Sequence, residues 1–174
     1  VGYISTIGAK IGDEELDTGL HVTTPDPWMV PKYLKMMVDR GIEYVVLEAT
    51  SNGLEQNRLW GINFAGGIIT NIKSDHLDYH GTLEVYAEAK AALFKFESLK
   101  VAIINIDDEH AHIMLNAAQQ NPSKPRILTY STTQPADYQV QDIQYSLSGV
   151  SFKLATEKGE FEVNSPLLGH FNIE

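Results

Sequence analysis

Cysteine is absent from the chain. That excludes disulfides, thiolate metal sites and a cysteine nucleophile, and it fits a cytoplasmic protein. Basic residues are scarce: 13 Lys and Arg stand against 23 Asp and Glu, a formal net charge of -10. Nucleic acids and anionic membranes bind basic patches, so neither partner is expected. No apolar run approaches the ~18 residues of a membrane span, and no signal-peptide layout opens the chain. What is present is ordinary for a globular protein: 43% hydrophobic and 21% charged residues over 174 positions, enough for one domain with a real core. Val1 already stands in a strand-like run, and Gly169 to Glu174 form no polar tail. Both ends read as cut from something longer.

Apolar spacing organises the rest. Residues 1–24 read as strand, loop, strand, with Tyr3 to Gly8 as the first strand and Leu20-His21-Val22 as the second. Thr23-Thr24-Pro25-Asp26-Pro27 is a rigid polar loop in which Thr24 or Asp26 caps the following helix. Positions 30, 33, 34, 37 and 38 are apolar at helical spacing, and Gly41 ends that helix. Ile42 to Leu47 is a continuous apolar run, the pattern of a buried parallel strand. The strand at 66–70, the strand Lys100 to Ile106, a helix over 109–120 and the strand Arg126 to Tyr130 continue the alternation of a parallel α/β sheet. After Pro135 the pattern changes to alternating residues around turns at Ser148-Gly149 and Lys158-Gly159, an antiparallel meander. A parallel core over 1–135 and a small antiparallel part over 136–165 are expected.

Candidate chemistry gathers at strand ends, where open α/β sheets bind ligands. Glu48 ends the strand at 42–47; it is either paired or metal-bound, or it sits at an exposed sheet edge. The strand at 66–70 runs into Asp75, His76, Asp78 and His80. Gly81 and Thr82 place the next helix after these residues, with Val85, Ala89, Leu93 and Phe96 as its buried stripe. Lys90 lies beside that stripe, one turn from Tyr86 and Phe94, although most helix lysines are solvated. Arg58 in isolation reads as a surface residue.

Several segments, in order, resemble the Mur ligases of peptidoglycan synthesis: Thr23-Thr24-Pro25-Asp26-Pro27; Glu48-Ala49-Thr50-Ser51-Asn52-Gly53-Leu54-Glu55-Gln56-Asn57-Arg58; Thr70-Asn71; Asp75-His76-Leu77-Asp78-Tyr79-His80-Gly81; Ala89-Lys90; Asn105-Ile106-Asp107-Asp108-Glu109; and Leu168-Gly169-His170-Phe171-Asn172. The resemblance is to the central, ATP-binding domain of the member that adds the third peptide residue. It implies a Rossmann-like, P-loop-type sheet flanked by helices. It also implies an ATP-dependent ligase that activates the carboxylate of UDP-MurNAc-L-Ala-D-Glu as an acyl phosphate for attack by a diamino acid, diaminopimelate or lysine. By the same resemblance, Glu48 and His76 are Mg²⁺ ligands. Lys90 is a catalytic, carbamylated lysine and a metal ligand, its carbamate formed on the neutral amine. Thr23, Thr24, Thr50, Gln56 and Arg58 contact the UDP-sugar peptide, Arg58 through its guanidinium fork. Asn172 lies near the adenine and can both donate and accept.

Three departures stand out. Thr50-Ser51-Asn52 replaces the usual Ser-Ser-His. The Gly-rich phosphate loop ending in Gly-Lys-Thr is missing, and so is a C-terminal domain that selects the amino acid. The chain by itself is therefore expected not to ligate. Two other functions stay open: a metal-dependent phosphohydrolase using Asp75, His76, Asp78 and His80, and a non-catalytic nucleotide-sugar binding module.

Overall fold

The computed structural model describes residues 1–16, 23–73, 77–169 and 173. They form two compact units, Val1–Asn63 and Phe64–Glu174.

The first unit opens with β1 (Gly2–Ser5), β2 (Gly8–Ile11) and β3 (Glu14–Leu16), followed by α1 (Met29–Asp39), β4 (Val45–Leu47) and α2 (Ser51–Glu55). The sheet order is β3-β2-β1-β4; β1 to β3 are antiparallel, and β4 is parallel to β1. Residues 1–16 are thus a three-stranded ribbon, with a strand at 8–11 where the sequence suggested a loop. The second expected strand, Leu20-His21-Val22, lies outside the described residues. Helix α1 buries Val30, Tyr33 and Met37. Gly2 permits this packing, since a Cβ there would meet Met37 Sδ at 3.0 Å. The helix ends as expected at Gly41, with φ at 70°. Gly41 N donates to Val38 O and Ile42 N to Met37 O, the two bonds of a Schellman motif. Its start differs from expectation. Trp28 is the N-cap and gives no side-chain bond; the backbone oxygen of Asp26 takes Met29 N and Val30 N instead. Strand β4 is also less buried than its sequence suggested, with Val46 64% exposed and Tyr44, just before it, 71% exposed; among the described residues it is the edge of its sheet.

The second unit comprises β5 (Gly66–Ile69), α3 (Leu77–His80), α4 (Leu83–Ala91) with a 3-10 turn (Ala92–Lys95), β6 (Val101–Asn105), α5 (Ala111–Gln120), β7 (Arg126–Ser131), β8 (Tyr138–Ser146), β9 (Gly149–Thr156) and β10 (Gly159–Ser165). Its six-stranded sheet runs β10-β9-β8-β7-β6-β5. Strands β5 to β8 are parallel, and β8 to β10 are antiparallel. The meander is therefore continuous with the parallel strands. The main core joins Phe94, Leu99, Ala102, Ile104, Met114 and Ala118 with their neighbours. Asn121, 2% exposed, donates to Phe94 O and Phe96 O and ties the 3-10 turn to the end of α5.

Two details of the α3–α4 region correct the sequence reading. His80 already belongs to the short helix α3, which Gly81 (φ 78°) separates from α4. The stripe that α4 and its 3-10 turn bury is Tyr86, Ala87, Ala91 and Phe94, whereas Val85 is 44% exposed. No described helix is long and apolar enough to cross a membrane.

Candidate active site

In the first unit the pairing of β1 with β4 sets Ile4 opposite Leu47, and Glu48 N donates to Ile4 O at 2.9 Å. Glu48 thus leaves the strand end beside the turn that follows β1. Thr6, on that turn, donates its N–H (3.0 Å) and its hydroxyl (3.1 Å) to Glu48 Oε2. The Thr6 and Thr23 hydroxyls lie 2.8 Å apart. Glu48 is exposed, and no described residue bonds its Oε1.

Thr24 is only 1% exposed, and its hydroxyl joins three segments. It donates to Glu48 O at 3.0 Å and accepts from Thr50 N at 2.9 Å. Thr50 Oγ1 lies 3.0 Å away and itself accepts from Gly53 N, capping α2. A hydroxyl has one proton and two lone pairs. Thr24 spends its proton on Glu48 O, so the Thr50 hydroxyl donates to it, and Thr24 Oγ1 is then saturated. Gly53 makes this approach possible: a Cβ there would sit 2.8 Å from Thr24 Cβ. Arg58 completes the wall. Its Nη1 donates to Thr24 O at 3.0 Å, while Nε and Nη2 donate to Gln56 Oε1 at 2.9 and 2.7 Å. Three of the five guanidinium N–H groups are used in this way, leaving two for an anion.

The structure thus brings Glu48, Thr23, Thr24, Thr50, Gln56 and Arg58 into one hydrogen-bonded array. It also adds Thr6, which the sequence reading missed. Only the strand pairing reveals Thr6; the sequence reading set it inside a strand over Tyr3 to Gly8, whereas β1 ends at Ser5 and leaves Thr6 on the turn.

In the second unit Lys90 is half-buried, with Nζ 5.0 Å from the centroid of the Tyr86 ring. That ring face attracts an ammonium and would repel a carbamate, so a carbamylated Lys90 would turn away from it. His80 is 7% exposed, packed 4.8 Å from the Tyr79 ring and 5.2 Å from Tyr86. His76 and Asn172 lie outside the described residues, as does Asp75 of the alternative metal cluster. Among the described residues no group of three His, Asp or Glu side chains is placed to hold a metal.

Residues at and just after the end of β6 hold the segment that follows β5. Asn105 Nδ2 donates to Thr70 O at 2.8 Å, and Ile72 N donates to Asp108 Oδ2 at 2.5 Å. Asp108 Oδ1 accepts His110 N just before α5; the N-cap of that helix is His110, which gives no side-chain bond. Asp107 turns instead to the end of β7 and the loop after it, accepting from Ser131 (2.5 Å), from the N–H (2.6 Å) and hydroxyl (2.9 Å) of Thr132, and from Thr133 (2.5 Å). Burial alone would raise the Asp107 carboxyl, but the bonds from Ser131, Thr133 and Thr132 outweigh it and hold its pKa down at about 2.

The profile of the Mur ligase middle domain matches residues 1–174. The chain belongs to that family. This Mur ligase middle domain is 37% identical over 173 residues to a Clostridium perfringens protein named UDP-N-acetylmuramoyl-L-alanyl-D-glutamate--2,6-diaminopimelate ligase, covering 99% of the chain and 34% of that protein. It is 33% identical over 180 residues to the protein of the same name from Geobacillus thermodenitrificans, covering 99% and 35%. A solved structure of a protein so named superposes with a TM-score of 0.91 at 48% identity, again covering 99% of the chain and 34% of that structure. The Mur ligase middle domain described here thus spans about a third of the length of its relatives.

Proposed function

We propose that this chain is the central part of an ATP-dependent ligase of peptidoglycan precursor synthesis, acting in the cytoplasm. The ligase joins a diamino acid to UDP-MurNAc-L-Ala-D-Glu through an acyl phosphate. The relatives' names favour 2,6-diaminopimelate over lysine. The observation that carries the reading is the array in the first unit, where Glu48 and the residues assigned to the sugar peptide form one hydrogen-bonded wall.

Each residue contributes in its own way. Arg58 offers its two remaining N–H groups to a carboxylate of the peptide. Gln56 orients that guanidinium. Thr23, half-buried at the wall, meets the substrate directly, while Thr24 and Thr50 hold the wall in shape through hydroxyls that bond each other. Glu48 presents Oε1, a hard oxygen donor of the kind Mg²⁺ takes; in the proposal His76 and Lys90 serve a second such ion. Bound Mg²⁺ would offset repulsion between ATP and the substrate carboxylate. Asn172 is assigned to the adenine.

The test is phosphate release by the longest polypeptide that carries this sequence. Release should require ATP, UDP-MurNAc-L-Ala-D-Glu and the diamino acid together, and Glu48→Gln should abolish it. Release that ignores the amine, or hydrolysis of simple phosphoesters in its place, would overturn the proposal.

A further inference from the structure

The array around Glu48 is asymmetric, and the asymmetry has a chemical direction. A carboxylate only accepts, so at the 3.1 Å contact Thr6 is the donor. Its single hydroxyl proton is then committed. The 2.8 Å contact between Thr6 and Thr23 is a hydrogen bond only if Thr23 donates to Thr6. The proton order is therefore fixed, from Thr23 to Thr6 to Glu48. The Thr6 N–H adds a second bond to the same oxygen at 3.0 Å. Oε2 thus carries two donors from one residue, while no described residue bonds Oε1.

We infer that Thr6 is a positioning residue for Glu48: it clamps Oε2 and leaves Oε1 as the oxygen a divalent cation takes. This rests on the ligase reading, in which Glu48 is a metal ligand. Carboxylates that ligate metals are commonly fixed by such outer partners, and losing one weakens metal binding about 10–100-fold. Thr6 also takes the proton of Thr23, the wall residue that the ligase reading sets against the substrate. With its proton given to Thr6, Thr23 has only lone pairs to offer, so it suits an N–H or O–H of the substrate and not a carboxylate oxygen.

The experiment titrates Mn²⁺ alone, as a paramagnetic stand-in for Mg²⁺, into the longest polypeptide that carries this sequence, and reads free Mn²⁺ by electron paramagnetic resonance. Thr6→Val keeps the N–H bond and loses the hydroxyl, and should weaken binding about tenfold. Thr6→Ser should restore it. Thr23→Val leaves the clamp in place and should change Mn²⁺ affinity far less than Thr6→Val. In a Glu48→Gln background Thr6→Val should add nothing, because the group it positions is gone. Unchanged affinity in Thr6→Val overturns the inference and leaves the ligase reading standing, as does an equal loss in Thr23→Val or an additive effect with Glu48→Gln. If Thr6→Val fails to fold, Thr6→Ser decides: a tenfold loss there overturns the inference. Absence of Mn²⁺ binding by the unaltered protein overturns both.

Discussion

In Val1–Asn63 the loops are tied hydroxyl to hydroxyl, through Thr6, Thr23, Thr24 and Thr50. In Phe64–Glu174 carboxamides and carboxylates reach across to backbone groups of neighbouring strand ends and loops: Asn105 to Thr70, Asp108 to Ile72, Asn121 to Phe94. The second unit also has an apolar cluster around Phe94 and Met114. Hydroxyl links are short and hold their partners in one arrangement, and each is worth only about 1 kcal/mol. Packing of a fully buried aromatic is worth several times that. The two units therefore divide the work. One holds a shaped polar wall at modest energetic cost, and the other a packed apolar core around Phe94.

Three measurements would break or sharpen that contrast. The largest effect should come from Phe94→Ala, which empties a site of 0% exposure and should cost about 3–5 kcal/mol in denaturant unfolding. A loss under about 1 kcal/mol would mean that packing does not anchor the second unit. Gly53→Ala should be milder for stability, about 1–3 kcal/mol from overpacking, since its Cβ would meet Thr24 at 2.8 Å. Under the proposed function its effect on binding should be disproportionate, with a raised KM for the sugar peptide, because the clash falls on the wall itself. If Gly53→Ala unfolds the chain as severely as Phe94→Ala, the first unit is no less dependent on packing than the second. The smallest effect is the acid response of Asp107. Its folded carboxyl titrates at about 2, below the ~3.9 of an unfolded Asp. Its contribution is therefore whole above about pH 4 and is lost as pH falls toward 2. Asp107→Asn should flatten that part of the stability–pH profile and leave the neutral range parallel to the parent; an unchanged acid limb would show that the Ser131–Thr133 bonds carry no net stability.

Much of this was legible in the sequence. Helices α1 and α5 and the parallel strands announce themselves by spacing, and the meander by alternation. The stripe of α4 was misread because its residues 83–91 are rich in alanine and only weakly amphipathic, and because the 3-10 turn at Ala92–Lys95 changes the angular step before Phe94. Burial of β4 was overestimated because an apolar run does not say whether a neighbour strand lies on each side. The wall residues were found through the family resemblance, since a lone Arg58 or a Thr-Thr pair says little by spacing. Thr6 was invisible for a different reason. Its partner is 42 residues away, and only the β1–β4 register brings them together.

The junction between β7 and β8 has a consequence in time. Strands β8, β9 and β10 pair with sequence neighbours across two tight turns, and hairpins of that kind close in about 1–10 μs. The parallel ladders of β5, β6 and β7 wait on helical crossovers and form more slowly. The two assemblies meet through a ladder of two residue pairs, Tyr130 with Tyr138 and Ser131 with Gln139, reinforced by Asp137, which accepts both the N–H and the hydroxyl of Thr129. The ribbon can be complete before it has a sheet to join. Two residue pairs and the Asp137 bonds to Thr129 are thus what set the register between the ribbon and the parallel strands.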